Sequence, residues 1–411
     1  MLEWVFVAML AWALACAAVA LAFAPVLRRL WREPVFRAPV LVFESDDWGA
    51  GPLVQAQALQ RLCEVLARHR DASGRPAVAS LALVLAVPDG AAIAATGRYA
   101  RLRLDAAALR PVQESLRRGR AEGLLAWQLH GLEHYWPATL MASADPAVQA
   151  WCRAPQPALT EALPSALQSR WVHAATLPAR PHADADVAAA VADEVAAYRE
   201  LLGEAPRIVV PPTFVWTEAV EREWARHGVA WLVTPGCRYT TRGAQGEAGG
   251  AEGAWFNGQR VGGLRRLVRT GYFEPKKGRD AAHALATLAE DRAQGRPSVL
   301  ENHRDNFLQD DERSAHAWRE LDALLAGALQ RWPELRFLST AELCGVLERQ
   351  DREWLLDGWR GRLPFYLQRL RRVRRLGKLL RWSGAGAIGA ALVTLLAPPA
   401  HAPLRGEAGP A

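Results

Sequence analysis

Seven short apolar runs, rich in β-branched residues, alternate along this sequence with longer Ala-, Leu- and Arg-rich stretches of helical periodicity. Continuous apolar runs are typical of strands that are buried on both faces of a parallel sheet. The alternation therefore predicts an α/β fold, either an open sheet or a barrel. The predicted strands cover residues 40–43, 79–87, 124–129, 208–210, 230–233, 299–300 and 336–338, and helical patterns cover residues 53–69, 105–121, 184–202, 218–227 and 281–294.

Two adjacent carboxylates follow the first predicted strand. Asp46 and Asp47 come after the apolar residues 40–43 and just before Gly49. In parallel α/β folds, the polar residues at the carboxyl ends of the strands line the site. Because neighbouring residues on a strand point to opposite faces, we expect the two aspartates to have different roles. Taken alone, such a pair more often marks a solvated turn.

Two histidines four residues apart follow the third predicted strand. On a continuing strand His130 and His134 would lie roughly 13 Å apart, which is too far for one metal ion. On a helical turn they would lie about 6 Å apart, and both imidazoles could bind one ion. Gly131 permits that change of direction. The order of residues differs from the His-Glu-x-x-His pattern of metalloproteases, because Glu133 occupies another position.

A third strand end carries a single histidine. His303 follows the apolar residues 299–300, and an isolated histidine in such a place is most often structural. Three strand ends together, however, present Asp-Asp, His-x3-His and His in that order. Such a set favours a shared site at one edge of the sheet.

The order of these motifs resembles that of the polysaccharide deacetylase family, the NodB-homology or carbohydrate esterase family 4 group. The family motifs are Thr-Phe-Asp-Asp-Gly, His-Ser/Thr-x-x-His and Leu-x-His, and they correspond here to residues 44–49, 130–134 and 301–303. The resemblance covers about residues 38–345 and implies a distorted (β/α) barrel with seven strands.

The resemblance implies a role for each motif residue. Asp47, His130 and His134 would bind a divalent metal ion, most often Zn²⁺, although Co²⁺ or Fe²⁺ also suits this donor set. Asp46 would act as the general base that accepts a proton from water, and His303 as the general acid that protonates the departing amine.

Residues 210–216 (Val-Pro-Pro-Thr-Phe-Val-Trp) stand where the family has an Arg-Pro-Pro-Tyr loop. That loop offers a backbone N–H to the oxyanion. The resemblance therefore implies substrate or oxyanion contacts for four residues of this segment: Pro212, Thr213, Phe214 and Trp216.

Several positions depart from the family pattern. Gly131 replaces the usual Ser or Thr, and Trp48 is inserted before Gly49. Arg207 is the positional candidate for the arginine of the Pro-Pro loop. The family's Asp-x-x-Asp-Trp motif has no convincing counterpart, and residues 272–275 (Tyr-Phe-Glu-Pro) have a place near the site but no assigned role. These departures indicate a divergent member.

The N-terminal segment predicts a membrane anchor. Residues 4–27 contain no charged side chain, and these 24 positions exceed the roughly 20 residues that span a bilayer core. A cleaved signal peptide would begin with basic residues, whereas Glu3 precedes the segment, and residues 13–16 only faintly match a lipoprotein cleavage site. Four arginines follow at positions 28, 29, 32 and 37. By the positive-inside rule the next domain would face the cytoplasm.

The C-terminal part, residues 346–411, predicts a second membrane-associated region. Residues 360–381 contain nine basic and no acidic residues. Leucines and aromatic residues interleave with arginines over 363–382, as in a basic helix at a membrane surface, although such a helix could equally pack on the domain. Residues 383–397 are apolar but too short to span comfortably, which favours a re-entrant or interfacial segment.

Other features limit the alternatives. The net charge of +7 is concentrated in the C-terminal basic stretch, and no nucleic-acid motif occurs, so a nucleic-acid partner is not expected. The five cysteines are scattered, which argues against a disulfide framework. Residues 136–186 predict a wall or lid. Residues 243–263 are Gly-rich but lack the ending of a phosphate-binding loop, which indicates a surface insertion.

The sequence and the resemblance together predict a membrane-anchored, metal-dependent deacetylase. Its substrate would be an N-acetylated, or O-acetylated, amino sugar in a glycan or a lipid-linked saccharide, with membrane lipids as a further partner. The domain boundaries would be 1–30 for the anchor, 38–345 for the barrel and 346–411 for the tail. A catalytically silent glycan-binding barrel and another amidohydrolase or esterase on the same fold remain as alternatives.

Overall fold

The computed structural model describes residues 2–309, 311–387 and 391 of the 411-residue chain. The α-helices are α1 Leu2–Ala22, α2 Ala24–Arg32, α3 Gln55–Arg68, α4 Gly90–Thr96, α5 Arg110–Ala121, α6 Pro137–Met141, α7 Pro146–Cys152, α8 Asp184–Leu202, α9 Glu218–Arg226, α10 Ala281–Ala293, α11 Asp305–Leu308, α12 Glu312–Arg331, α13 Thr340–Arg349, α14 Trp359–Arg372 and α15 Arg374–Trp382. The strands are β1 Val40–Gly49, β2 Ala79–Val84, β3 Ala86–Pro88, β4 Arg101–Arg103, β5 Leu125–Leu129, β6 Val172–His173, β7 Arg180–Pro181, β8 Ile208–Val209, β9 Trp231–Thr234, β10 Thr241–Arg242, β11 Ala248–Gly249, β12 Arg260–Val261, β13 Leu264–Val268, β14 Gly271–Tyr272, β15 Ser298–His303 and β16 Arg336–Phe337.

A ten-stranded sheet forms the centre of the fold. Its strands follow the order β12-β13-β9-β8-β5-β2-β1-β15-β14, and β16 pairs with β1. All neighbours are parallel except β12 and β13. Helices connect most of the parallel strands, as parallel pairing requires. The α/β prediction is confirmed.

The sheet curls into a half-barrel whose two ends are joined by one crossing of the chain. Strand β13 lies next to the end strand β12, and the chain continues from β13 through Arg269 and Thr270 into β14 at the other end. The Arg269 N–H donates to the Thr234 carbonyl and the Thr270 N–H donates to the Val299 carbonyl, both at 2.9 Å. The sheet therefore has ten strands, where the resemblance implied seven. Strands β12 to β14 were not predicted, because they are short and β13 carries two arginines within its five residues.

Two apolar layers lie on opposite faces of the sheet. On the outer face Leu41 and Phe43 pack with the surrounding helices in the larger hydrophobic core. On the inner face Val40 and Val42 pack with α13, which closes one end of the half-barrel. This helix extends past residue 345, the expected end of the barrel domain. Polar side chains lie at the opposite end of the half-barrel, where the parallel strands terminate.

The N-terminal helix lies largely exposed: its Trp12 indole donates to the Ser383 carbonyl at 2.9 Å, and Val19 packs against the cluster of Leu30, Leu370 and Leu376. Its segment Glu3–Ala22 is long and apolar enough to cross a membrane, and none of it is buried against the rest of the described chain. A signal sequence would pass the same test. The helix ends where the chain turns into α2.

The basic C-terminal stretch forms two helices that pack against α2. The stretch is broken at Val373, between α14 and α15. Leu30 of α2 is buried with Leu370 and Leu376. The buried guanidinium of Arg369 donates to the carbonyls of Leu30 and Glu33, among others. These helices are thus part of the folded body. Most of the predicted segment 383–397 lies outside the described residues.

Candidate active site and metal centre

Strand β1 places charged side chains on its inner face, near the open end of the half-barrel. Val42, Glu44 and Asp46 alternate along this face, as the period of two requires. Asp47 would then point outward, but the register of β1 with β2 shifts between Ser45 and Trp48, and Asp47 has a φ of +73°. This bulge turns Asp47 back toward the interior, so that both carboxylates line one cavity. The prediction of opposite faces was wrong in this respect.

Asp47, His130 and His134 form a buried cluster. The Asp47 Oδ1 atom lies 3.3 Å from His130 Nε2 and 3.2 Å from His134 Nε2. One donor atom from each residue lies within 4.8 Å of the other two. The predicted helical turn is instead an irregular bend, in which Gly131 has a φ of +98°. The bend still brings the two imidazole rings to a centroid distance of 4.9 Å.

The hydrogen bonds around the cluster leave its metal-binding atoms free. His130 Nδ1 lies 2.7 Å from the Val210 carbonyl, which can only accept, so Nδ1 carries the proton and the Nε2 lone pair faces the centre. Burial lowers the pKa of His134 to about 4, which keeps this ring neutral at pH 7. Asp47 Oδ1 is buried and has no hydrogen-bond partner among the described residues. A carboxylate and two imidazoles with these free donor atoms fit a divalent transition-metal ion.

The second aspartate is held by an arginine that the sequence analysis missed. Arg269 Nη1 and Nη2 donate to the two carboxylate oxygens of Asp46 at 2.7 Å, and its Nε donates to Glu44 Oε2 at 2.6 Å. Burial alone would raise the pKa of Asp46, but the guanidinium of Arg269 lowers it. Asp46 is therefore ionised and fixed in orientation.

The positional candidate for this role, Arg207, was wrong. Its side chain is 67% exposed and pairs with Glu348 at the surface. Arg269 comes 62 residues later, directly after β13. Arg269 could have been found from the sequence only if β13, a strand of five residues, had been recognised before it.

His303 is paired with a carboxylate from the segment to which no role was assigned. Its Nδ1 hydrogen-bonds to Glu274 Oε1, and Asn306 donates to the other oxygen of Glu274 at 2.6 Å. Burial disfavours the charged ring, but Glu274 outweighs it and raises the pKa of His303 to about 10. His303 is therefore protonated at neutral pH, as a general acid requires. Glu274 is close in sequence to β14, which places it beside β15.

The predicted oxyanion loop is only partly at the cavity. Thr213 and Phe214 line it, and both have a φ of +54°. Pro212 is buried and has no N–H, and the Phe214 N–H donates to the Pro211 carbonyl at 3.1 Å. Thr213 is thus the remaining candidate for a backbone donor. Trp216 lies in the core, where its indole donates to Glu221 at 2.8 Å.

These groups share a cavity of about 510 Å³. Residues 136–186 form one wall of it, as predicted, and contribute Glu161, Ser165 and Gln168. Arg242 comes from the hairpin β10–β11 and directly precedes residues 243–263, which we had interpreted as a surface insertion. A cavity of this volume is within the range that binds small-molecule ligands.

No protein-family model matches the chain, and no curated protein matches it. Among solved structures it is similar to a family 4 acetyl xylan esterase from Clostridium thermocellum in complex with a cobalt ion (10% identity, 75% of this chain and 91% of that chain covered, TM-score 0.38). It is also similar to the peptidoglycan deacetylase PdaC from Bacillus subtilis (10%, 77% and 95%, 0.35). A third match is the 4-alpha-glucanotransferase from Thermococcus litoralis (10%, 75% and 40%, 0.39).

One of these structures is a family 4 esterase, another is a deacetylase, and the third has a different activity. Similarities of this size do not select an activity.

Proposed function

We propose that this protein is a metal-dependent deacetylase that removes N-acetyl groups from an amino sugar of a polysaccharide or a lipid-linked saccharide. The observation that carries the proposal is the buried cluster of Asp47, His130 and His134, whose donor atoms lie within 4.8 Å of one another. The same cavity is lined by an ionised carboxylate, Asp46, and a protonated imidazole, His303. This is the set of groups that hydrolysis of an amide needs.

Each side chain has a task in this mechanism. A divalent ion held by the cluster supplies Lewis-acid polarisation of the acyl carbonyl and lowers the pKa of water. Asp46, oriented by Arg269, accepts the proton of the attacking water. His303 donates its proton to the departing nitrogen, and the Thr213 N–H stabilises the oxyanion. The donor set favours Zn²⁺, and Co²⁺ or Fe²⁺ would also fit.

The arrangement of the partners argues against a catalytically silent barrel. Arg269 and Glu274 are buried next to Asp46 and His303 and set them in opposite protonation states. A surface that only binds glycans has no need of such a pair. An O-deacetylase would use the same groups, because an ester also gains from a polarised carbonyl and an activated water.

We further propose that the enzyme works at the cell membrane, with its cavity on the cytoplasmic side of the inner membrane. The exposed apolar helix α1 suits an anchor. Exposed basic residues, such as Arg28, Arg374 and Lys378, lie on α2, which follows this helix, and on α14 and α15, which pack against α2. They would attract anionic lipids. A lipid-linked saccharide would reach the cavity from the same membrane.

Metal analysis of the purified protein tests the proposal. We expect about one equivalent of metal in the wild type, none in Asp47→Ala, His130→Ala or His134→Ala, and full metal without turnover in Asp46→Asn. His283→Ala, which changes an exposed histidine on α10, is the matched control and should retain both. Normal metal content in all three cluster variants, or no hydrolysis of acetylated amino sugars by the metal-loaded wild type, would contradict the proposal.

A further inference from the structure

The charges that line the active-site cavity are almost fully paired. Six carboxylates line it, and one of them, Asp47, belongs to the metal cluster. Each of the other five has a cationic side chain within 4 Å. The pairs are Asp46 and Glu301 with Arg269, Glu161 with Arg304, Glu274 with His303, and Asp305 with Lys276. Any further cationic side chain in the lining therefore has no free carboxylate of the lining as its partner, and its charge must be balanced by an anion from elsewhere.

Arg242 is such a cation. It lines the cavity, only 5% of its surface is exposed, and no carboxylate of the described chain lies within salt-bridge distance of it. Its Nε donates to Ser169 Oγ at 2.8 Å, and its Nη1 donates to the Gly246 carbonyl at 3.1 Å. Its Nη2 has no hydrogen-bond acceptor among the described residues. A guanidinium stays charged in a protein, so its burial without an anion is unfavourable.

The fold holds this side chain firmly beside the catalytic groups. The Arg242 carbonyl accepts from the Ala179 N–H at 2.8 Å, and Thr241 donates to the Ala179 carbonyl at 3.0 Å. These bonds join the hairpin β10–β11 to the wall of the cavity. Ser169, the partner of Arg242, lies 2.8 Å from the hydroxyl of Thr213, the candidate oxyanion donor. Arg242 is thus placed close to where the acetyl group would react.

We infer that Arg242 binds an anionic group of the substrate, a carboxylate or a phosphate that lies near the acetamide. This inference rests on the proposed function and specifies its substrate class as an acidic amino sugar or an amino-sugar phosphate. The planar guanidinium matches the oxygen atoms of either anion, and such charged hydrogen bonds are stronger than neutral ones. Lys277, exposed at the edge of the same cavity, adds positive charge on the path to the site.

Binding of three sugars to the metal-free full-length protein tests the inference without relying on turnover. The ligands are neutral N-acetylglucosamine, N-acetylglucosamine 1-phosphate and N-acetylmuramic acid, which carries a carboxylate. We expect at least one of the charged sugars to bind about tenfold or more tighter than the neutral one in calorimetry. Arg242→Gln should abolish this preference and Arg242→Lys should retain part of it. Arg180→Gln, which changes an exposed arginine on the same wall, should leave it intact.

The outcomes separate this inference from the proposed function. Equal Kd values for neutral and charged sugars, or an unchanged preference in Arg242→Gln, would overturn the anion site. Tight binding of only the phosphate or only the carboxylate supports the site and identifies the anion. Missing metal or missing hydrolysis in the wild type would count against the proposed function alone. Circular dichroism of the variants establishes that each is folded.

Discussion

Replacement of Arg269 by methionine is the sharpest test of how the site is held together. The wild-type guanidinium donates three hydrogen bonds at 2.6–2.7 Å, one to Glu44 and two to Asp46, and lies 3.4 Å from Glu301. Methionine fills similar space but leaves these buried carboxylates without a cation. Removal of one partner from a buried ion pair costs about 3–5 kcal/mol of unfolding free energy.

The hydrogen bonds that remain around Arg269 place the expected loss of unfolding free energy near the lower end of that range. Glu44 retains hydrogen bonds from Gln128 and from the Thr340 hydroxyl, whereas the two bonds that Arg269 makes to Asp46 have no replacement. We therefore expect Arg269→Met to lower the unfolding free energy by about 3 kcal/mol at pH 7. We also expect it to lower kcat about a hundredfold, because Asp46 loses its orientation.

The pH dependence of this loss has a defined sign. The pKa of Asp46 is depressed below 3.8 in the folded state by Arg269, despite the opposing effect of burial. The corresponding stabilisation is present above pH 3.8 and is lost as the pH falls through the folded pKa. The difference between wild type and Arg269→Met should therefore be largest near neutral pH and should shrink below about pH 4.

Urea denaturation at several pH values measures the effect, with Arg207→Met as the matched control. Arg207 also pairs with a glutamate, but it lies at the surface, where such pairs contribute about 0–1 kcal/mol. A loss for Arg269→Met no larger than that for Arg207→Met would refute the reasoning. So would a loss that is no smaller below pH 4 than at pH 7.

Two further predictions address the general acid and the membrane. Glu274→Gln removes the charge that raises the pKa of His303 to about 10, so the high-pH limit of kcat/KM should move to lower pH; an unchanged limit would show that Glu274 does not control His303. A reporter fusion after Asp357, between the barrel and α14, should fluoresce as a fluorescent-protein fusion and be silent as an alkaline phosphatase fusion. The opposite result would place the cavity outside the cytoplasm.

Several site residues could be predicted from the sequence because each lies at or near the end of an apolar strand. The runs before Asp46, His130 and His303 are buried strands, and parallel strands bring their carboxyl ends to one edge. The spacing of His130 and His134 added a metal hypothesis, which the family resemblance joined to Asp47. The position of a residue at the end of a strand depends on its neighbours in the sequence, so a local sequence pattern can predict it.

The partners of these residues could not be predicted. Arg269 and Glu274 flank β13 and β14, which are short and lack a clear apolar pattern. They reach Asp46 and His303 only because the curled sheet brings its two ends together at one crossing of the chain. No local pattern encodes that closure, which explains why Arg207 seemed the better candidate.

The direction of individual side chains was decided by the tertiary structure in the same way. Asp47 faces the cavity because a bulge in β1 reverses the alternation, and Trp216 packs in the core although its neighbours line the site. Arg242 directly precedes the Gly-rich segment 243–263, whose composition indicated a surface loop, and hydrogen bonds to the cavity wall hold it in the cavity lining. The sequence by itself determined which predicted strand carries each reactive group. It also determined the apolar N-terminal segment that suits a membrane anchor. Only tertiary packing decided which charges meet, because ion pairs between distant residues depend on how the sheet curls and not on their spacing along the chain.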